Sequence, residues 1–191
     1  MSDEAASKRI EFVPLTPDRW EDFESLLGES GGDDGCWCMW WRLTRGEWTR
    51  QRGEENRRAF KEIVESGEVP GIMAYVDGEP AGWCSVAPRE AFPSLNLSPT
   101  LRRVDDEPVW SIVCFYVGPS FRGIGLMASL LAAARDYAVS RGARIVEAYP
   151  REPEGLSVPM AYMGVVPAFE KAGFVEVLRR SPRQPIMRWQ G

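Results

Sequence analysis

Nine consecutive residues, Val117-Gly118-Pro119-Ser120-Phe121-Arg122-Gly123-Ile124-Gly125, set closely spaced glycines and an arginine between an apolar run and an amphipathic one. Glycines let a backbone approach a ligand closely, and the free N–H groups of a first helical turn, at the positive end of the helix dipole, attract an anion. The chemistry this suits is the holding of a phosphate. A dinucleotide-binding turn would need a third glycine and a Walker loop a Gly-Lys-Ser/Thr ending. Here Leu126, Met127 and Ala128 follow Gly125, so neither pattern fits.

The chain contains no histidine, which removes the commonest general base and metal ligand and excludes Ser-His-Asp and Cys-His hydrolases. Of the four cysteines only Cys36 and Cys38 are closely spaced, too few for a zinc site, so no metal is expected. They read as reduced thiols, and Cys84 and Cys114 lie inside apolar strand patterns as small buried hydrophobes. A net charge of −5 and a pI near 5.0 argue against a nucleic-acid partner, and Arg57-Arg58 and Arg179-Arg180 are too short to form a basic face. No apolar run reaches the ~18 residues of a membrane span and the N-terminus is polar, so a soluble, cytoplasmic protein without a membrane partner is expected. With 191 residues, 44% of them hydrophobic, one domain over residues 9–191 behind a flexible stretch 1–8 is the economical division.

The elements that must position the loop follow from periodicity. Arg9 to Leu15 reads as a strand, and Thr16 as the N-cap of a helix over residues 17–27 with Pro17 at its first position. A glycine- and acid-rich loop, 29–35, leads into the aromatic segment 36–42. A second helix is expected over 54–66. Gly71 to Val76 and Pro80 to Ala87 flank Asp77-Gly78-Glu79, a hairpin signal. Residues 88–108 carry little periodicity and read as a loop or lid. Val109 to Val117 is apolar on both faces, as an interior strand should be. A helix from Gly123 to about Ser140, a strand over 144–149, a short helix closed by Ala172-Gly173-Phe174, and strands over 175–179 and 186–189 complete the order.

The pattern V-x-P-x-[FY]-R-G-x-G, with Leu130 and Leu131 after it, resembles motif A of the GNAT acetyltransferase superfamily, and the element order resembles that family along nearly the whole chain. The resemblance implies an α+β fold, a mixed, largely antiparallel sheet with helices on both faces and a splayed centre. It also implies acetyl-CoA as co-substrate, its pantetheine arm pairing with the backbone near Phe115 and Val117 and its pyrophosphate meeting Arg122, Gly123, Ile124, Gly125, Leu126 and Met127. Met127 departs from the family's usual glycine or alanine and could crowd the pyrophosphate.

Two further departures concern proton transfer. The glutamate that some members carry eleven residues before the motif arginine is Ser111 here, a poor base. Deprotonation of an amine would then run through water or through Glu107, the nearest carboxylate, unless residues 105–107 are only a solvated loop. The family's usual acid, a tyrosine, is replaced by Phe169 beside the cofactor, leaving Tyr162 and Tyr149 as substitutes. Trp37, Trp40 and Trp41 form either an aromatic wall for the acceptor or a plug between helix and sheet. Asp33-Asp34 and Asp105-Asp106-Glu107 would favour cationic acceptors if they lined one cleft. The expected activity is direct acetyl transfer to a primary amine of a small molecule or peptide, with homodimerisation left open. The alternatives are a CoA-binding sensor or scaffold without catalysis and a tryptophan-rich interaction module.

Overall fold

A computed structural model describes residues 8–156 and 158–191. The stretch expected to be flexible, 1–8, lies outside the described residues except for Lys8. Strand β1 spans Ile10–Pro14, and Pro17 opens a 3-10 turn, Pro17–Arg19, that runs into helix α1, Trp20–Leu27. Thr16 does not cap it: its hydroxyl donates to Asp18 and accepts from Arg19 instead, both at 2.6 Å. Trp20, Phe23, Leu26 and Leu27 form the buried face of α1.

Helix α2, Arg45–Gln51, was not anticipated, because only Trp48 is buried and no apolar period marks it. Its signal is the Thr44-x-x-Glu47 capping box, in which Thr44 accepts from the Glu47 N–H and Glu47 accepts from the Thr44 N–H. Helix α3, Glu54–Glu65, buries Phe60 and Val64. Strands β2, Gly71–Val76, and β3, Glu79–Pro88, form the expected hairpin, with Asp77 and Gly78 at φ 52° and 85° in its two-residue turn.

Residues 88–108 are largely irregular, as expected of a loop, but their first half carries two short helical turns. A 3-10 turn, Arg89–Ala91, and the short helix α4, Ser94–Leu97, bury Phe92, Leu95 and Leu101 under β4, Trp110–Val117. The segment is fastened by its side chains into the core. Helix α5, Leu126–Ser140, follows the glycine loop; then come β5, Ile145–Ala148, α6, Val166–Lys171, β6, Val175–Leu178, and β7, Ile186–Gln190.

The seven strands form one sheet in the order β1-β2-β3-β4-β5-β7-β6, antiparallel except for β4 and β5. That parallel pair joins only Trp110 to Val146, Ser111 to Glu147 and Ile112 to Ala148. From Val113 to Val117, β4 keeps β3 on one edge and, among the described residues, has no strand partner on the other. At the point of parting, Ser85 faces Cys114 while Val86 faces Ile112, so Val113 is an extra residue, a bulge that bends the strand. Helix α5 covers one sheet face with Leu126, Leu130 and Leu131. It approaches so closely that a Cβ on Gly82 would lie 2.8 Å from the Leu130 side chain. The other face carries Trp20, Phe23, Phe60 and Trp83. Among the described residues, no helix is long and apolar enough to cross a membrane.

Candidate functional site

The glycine loop begins where Gly118 N–H bonds Ala81 O at 2.9 Å, turns through Pro119–Phe121, and reaches Gly123 and Gly125 at φ 82° and 80°. Gly125 in this left-handed conformation turns the chain directly into α5, which therefore starts at Leu126 rather than at Gly123. Ala128 and Ser129 donate to Gly125 O, and Arg122 N–H reaches Pro119 O at 3.4 Å. Among the described residues, no protein acceptor takes the N–H groups of Gly123, Ile124, Gly125, Leu126 and Met127. These five donors at one helix start form an anion cradle. Leu126 turns its side chain into the core and Met127 packs half-buried against the same cluster, which relieves the crowding expected at that position. Arg122 donates from Nε to Val117 O at 3.2 Å, binding the loop back to the strand end.

The open edge of β4 leads straight into this cradle. The Phe115 side chain is buried edge-on against Phe169 at 6.1 Å, so Phe115 offers the edge only its backbone. Phe169 itself is fully buried and packs edge-on against Phe174 at 5.2 Å. A Cβ on Gly164 would come within 2.5 Å of the Phe169 ring, so its rim has no free space on that side. A hydroxyl added there would enter a fully buried, closely packed position. Phe169→Tyr is expected to lower stability by about 1–3 kcal/mol rather than restore an acid. Urea unfolding of the two proteins measures this.

The Ser111 side chain is fully buried, with Oγ 2.8 Å from the Tyr149 hydroxyl. That hydroxyl donates to Glu147 at 2.7 Å, and Glu147 also accepts from Arg89 Nη1 and Arg188 Nε, each at 2.8 Å. Arg188 then grips Asp105 through both terminal nitrogens at 2.7 and 2.9 Å. Burial first, then the Glu147 charge, pushes the Tyr149 phenol well above its ordinary range. The network balances two guanidinium groups against two carboxylates and locks Ser111 in place through the Tyr149 hydroxyl; within it, Arg89 Nε lacks a hydrogen-bond partner among the described residues.

The hydrogen bond from Arg188 holds the Asp105 carboxyl below its ordinary value. Its contribution is therefore full at neutral pH and is lost as pH falls below about 4 through the lower folded value. Asp105→Asn should narrow the gap between urea midpoints measured at about pH 7 and about pH 3.

Glu107 is exposed in the irregular stretch before β4, and its backbone N–H donates to Asp105 at 3.1 Å. The two acidic segments are apart. Asp34 pairs with Arg52 at 2.8 Å in a loop whose Gly32 lies against Tyr116, whereas Asp105 joins the network below Ser111. Those two β4 positions are on the order of 16 Å apart.

Trp37 is 5% exposed, packed between Trp20 and Phe23, and Trp41 is 8% exposed in the cluster with Phe92 and Leu95. Both are plugs. Trp40 alone stays half-buried; it packs edge-on against Trp48 at 4.9 Å, with the Arg45 guanidinium over its ring. Trp48 and Arg45 were missed with helix α2. Tyr162, half-buried in the turn before Gly164, has its phenol pushed up to about 12, by burial first and then by Cys114. It remains protonated at neutral pH.

Residues 37–174 match the sequence profile of the acetyltransferase (GNAT) family. The chain belongs to that family. No significant match was found among curated sequences. Among solved structures, the PaiA N-acetyltransferase of Thermoplasma acidophilum, in complex with coenzyme A, is 16% identical with a TM-score of 0.54 over 96% of this chain and 99% of its own. A GNAT acetyltransferase of Listeria monocytogenes 4b F2365 gives 11% identity and a TM-score of 0.57 over 100% and 99% of the two chains. An N-acetyltransferase of Staphylococcus aureus Mu50 gives 12% and 0.55 over 95% and 98%. At such identities the likeness is one of fold, and the mixed seven-stranded sheet is the GNAT fold.

Proposed function

We propose that the chain transfers an acetyl group from acetyl-CoA to a primary amine of a small molecule or peptide, directly within a ternary complex. The observation that carries this is the unpaired edge of β4 from Val113 to Val117 running into the unengaged N–H groups of residues 123–127. An extended pantetheine arm can add to that edge as a strand would, and the pyrophosphate charge suits the cradle. Family membership and a CoA-bound relative of the same fold support this use.

In this reading Tyr162, half-buried in the turn before Gly164, is the candidate proton donor to the departing CoA thiolate; its phenol is protonated at neutral pH, though burial makes it a weaker acid than a free phenol. The acceptor would enter over Trp40, where Arg45 and Trp48 surround the ring. Proximity and polarisation of the thioester carbonyl by backbone N–H groups supply the remaining catalysis.

The test is release of free thiol from acetyl-CoA over a panel of small amines and N-terminal peptides, with Tyr162→Phe alongside. Turnover that falls in the variant supports the reading. Absence of turnover across the panel, with CoA still bound, favours the alternative of a CoA-binding sensor, to which the locked Ser111 and the buried Phe169 both lend weight.

A further inference from the structure

Trp40 lies where two clusters meet, packed along with Tyr116 against one and along with Cys114 and Tyr162 against the other. Tyr116 and Cys114 belong to the open stretch of β4. The Trp48 ring stands edge-on to Trp40 at 4.9 Å and the Trp41 ring at 6.4 Å, so two indoles fix its position. Over the Trp40 face lies Arg45, its guanidinium carbon 2.9 Å from the ring centre. Among the described residues Arg45 makes no ion pair, although the arginines on either side do: Arg42 holds Glu68 at 3.2 Å and Arg52 holds Asp34 at 2.8 Å. Glu47, the acid on the same helix, is engaged by Thr44.

A second guanidinium repeats the pattern. Arg151 donates its backbone N–H to Gly164 O and accepts from the Val166 N–H, both at 3.0 Å, which roots it beside the turn that carries Tyr162. Its Nε is buried without a hydrogen-bond partner among the described residues, and Glu152 next to it is held by Arg179 at 2.7 Å. The charges of Arg151 and Arg45 both bear on the Tyr162 phenol, each working against the effect of burial. Cations without counter-ions thus gather beside the open edge, and a desolvated donor left unbonded is costly until an anion meets it.

We propose that the acceptor is an amine that also carries a carboxylate, an amino acid in its plainest form, and that Arg45 on its Trp40 shelf takes the carboxylate while Arg151 supplies a second positive charge. This rests on the reading of the chain as an acetyl-CoA-dependent N-acyltransferase. A guanidinium held against an indole face presents a fixed planar fork, which matches a carboxylate through two parallel hydrogen bonds. The same charges repel a polycation. In the reaction the ammonium gives one proton to solvent and the amine nitrogen attacks the thioester carbonyl. The C–N bond forms, the C–S bond breaks, and a second proton of the amine ends on the CoA sulfur, leaving an N-acetyl amino acid and the free thiol.

Thiol release from acetyl-CoA is measured with glycine, leucine and β-alanine, each against its amide, and with phosphoethanolamine and spermidine. The carboxylates should exceed their amides in kcat/KM by about tenfold or more, and spermidine should be the poorest acceptor. Arg45→Gln should reduce that preference to about threefold or less, chiefly through KM, and Arg45→Lys should restore only part of it. Arg50→Gln, the same loss of charge on the same helix, should keep the preference. Equal rates for acids and amides, or a preference for phosphoethanolamine or spermidine, overturn the carboxylate site while leaving acyl transfer in place. If no amine is turned over, calorimetric titration of N-acetylglycine into the CoA-bound protein decides: binding that Arg45→Gln weakens keeps the site and removes the transfer reading, and absence of binding removes both.

Discussion

Coenzyme A at about a hundredfold excess over its dissociation constant should raise the melting temperature by about 5–10 °C, and Gly125→Asp should erase that rise. The ligand term is RT ln(1 + [L]/Kd), about 2.7 kcal/mol at that excess, and a chain of this length gains about 2–4 °C per kcal/mol. Gly125 stands at φ 80° with nothing within 4 Å of where a Cβ would be, so an aspartate fits sterically there. Aspartate is also among the few side chains that tolerate the left-handed region, at a cost on the order of 1 kcal/mol. The folded variant thus survives, and its carboxylate takes the place of the pyrophosphate against the N–H groups of residues 123–127. Affinity should fall about a hundredfold or more, the scale of one repelled charge in a preformed anion site. Differential scanning fluorimetry with and without CoA reads both effects. A full shift in Gly125→Asp would remove the cradle from the account.

This loop was legible in the sequence because everything that makes it is local: an apolar run, two glycines, and a helix period within about two dozen residues. The hairpin at Asp77-Gly78 was legible for the same reason, and the family resemblance extended the order to the remaining strands. What local signals do not carry is which face a side chain meets. Trp37 and Trp41 have the composition of an acceptor wall, yet the sheet twists one into the Trp20 cluster and the other over Phe92. Arg89 reads as a surface charge in an aperiodic stretch, but is only 1% exposed, because its partners come from residues 96, 101, 147 and 149. Ser111 shows the same limit. Its position in the family pattern suggests catalysis, and only the fold reveals that it faces Tyr149 rather than the slot.

That buried network yields the largest expected effect on stability. Glu147→Gln removes the one carboxylate shared by Arg89 and Arg188 and leaves a neutral amide between two guanidinium groups that water does not reach. Breaking a buried pair on one side costs about 3–5 kcal/mol, because the remaining charge stays desolvated and unpaired. Here the loss falls unequally. Arg188 keeps Asp105, whereas Arg89 keeps only the neutral oxygens of Asn96, Leu101 and Tyr149. The penalty should therefore concentrate on the segment 88–101, which Arg89 fastens beneath β4, and a drop of about 10 °C or more in melting temperature is expected. Adding Arg89→Met to Glu147→Gln tests the assignment, since it withdraws the stranded charge while keeping much of the side-chain volume. The double variant should be more stable than Glu147→Gln alone, a non-additivity that only a direct pairing produces. Simple additivity of the two losses would mean that packing, and not charge, holds the segment in place.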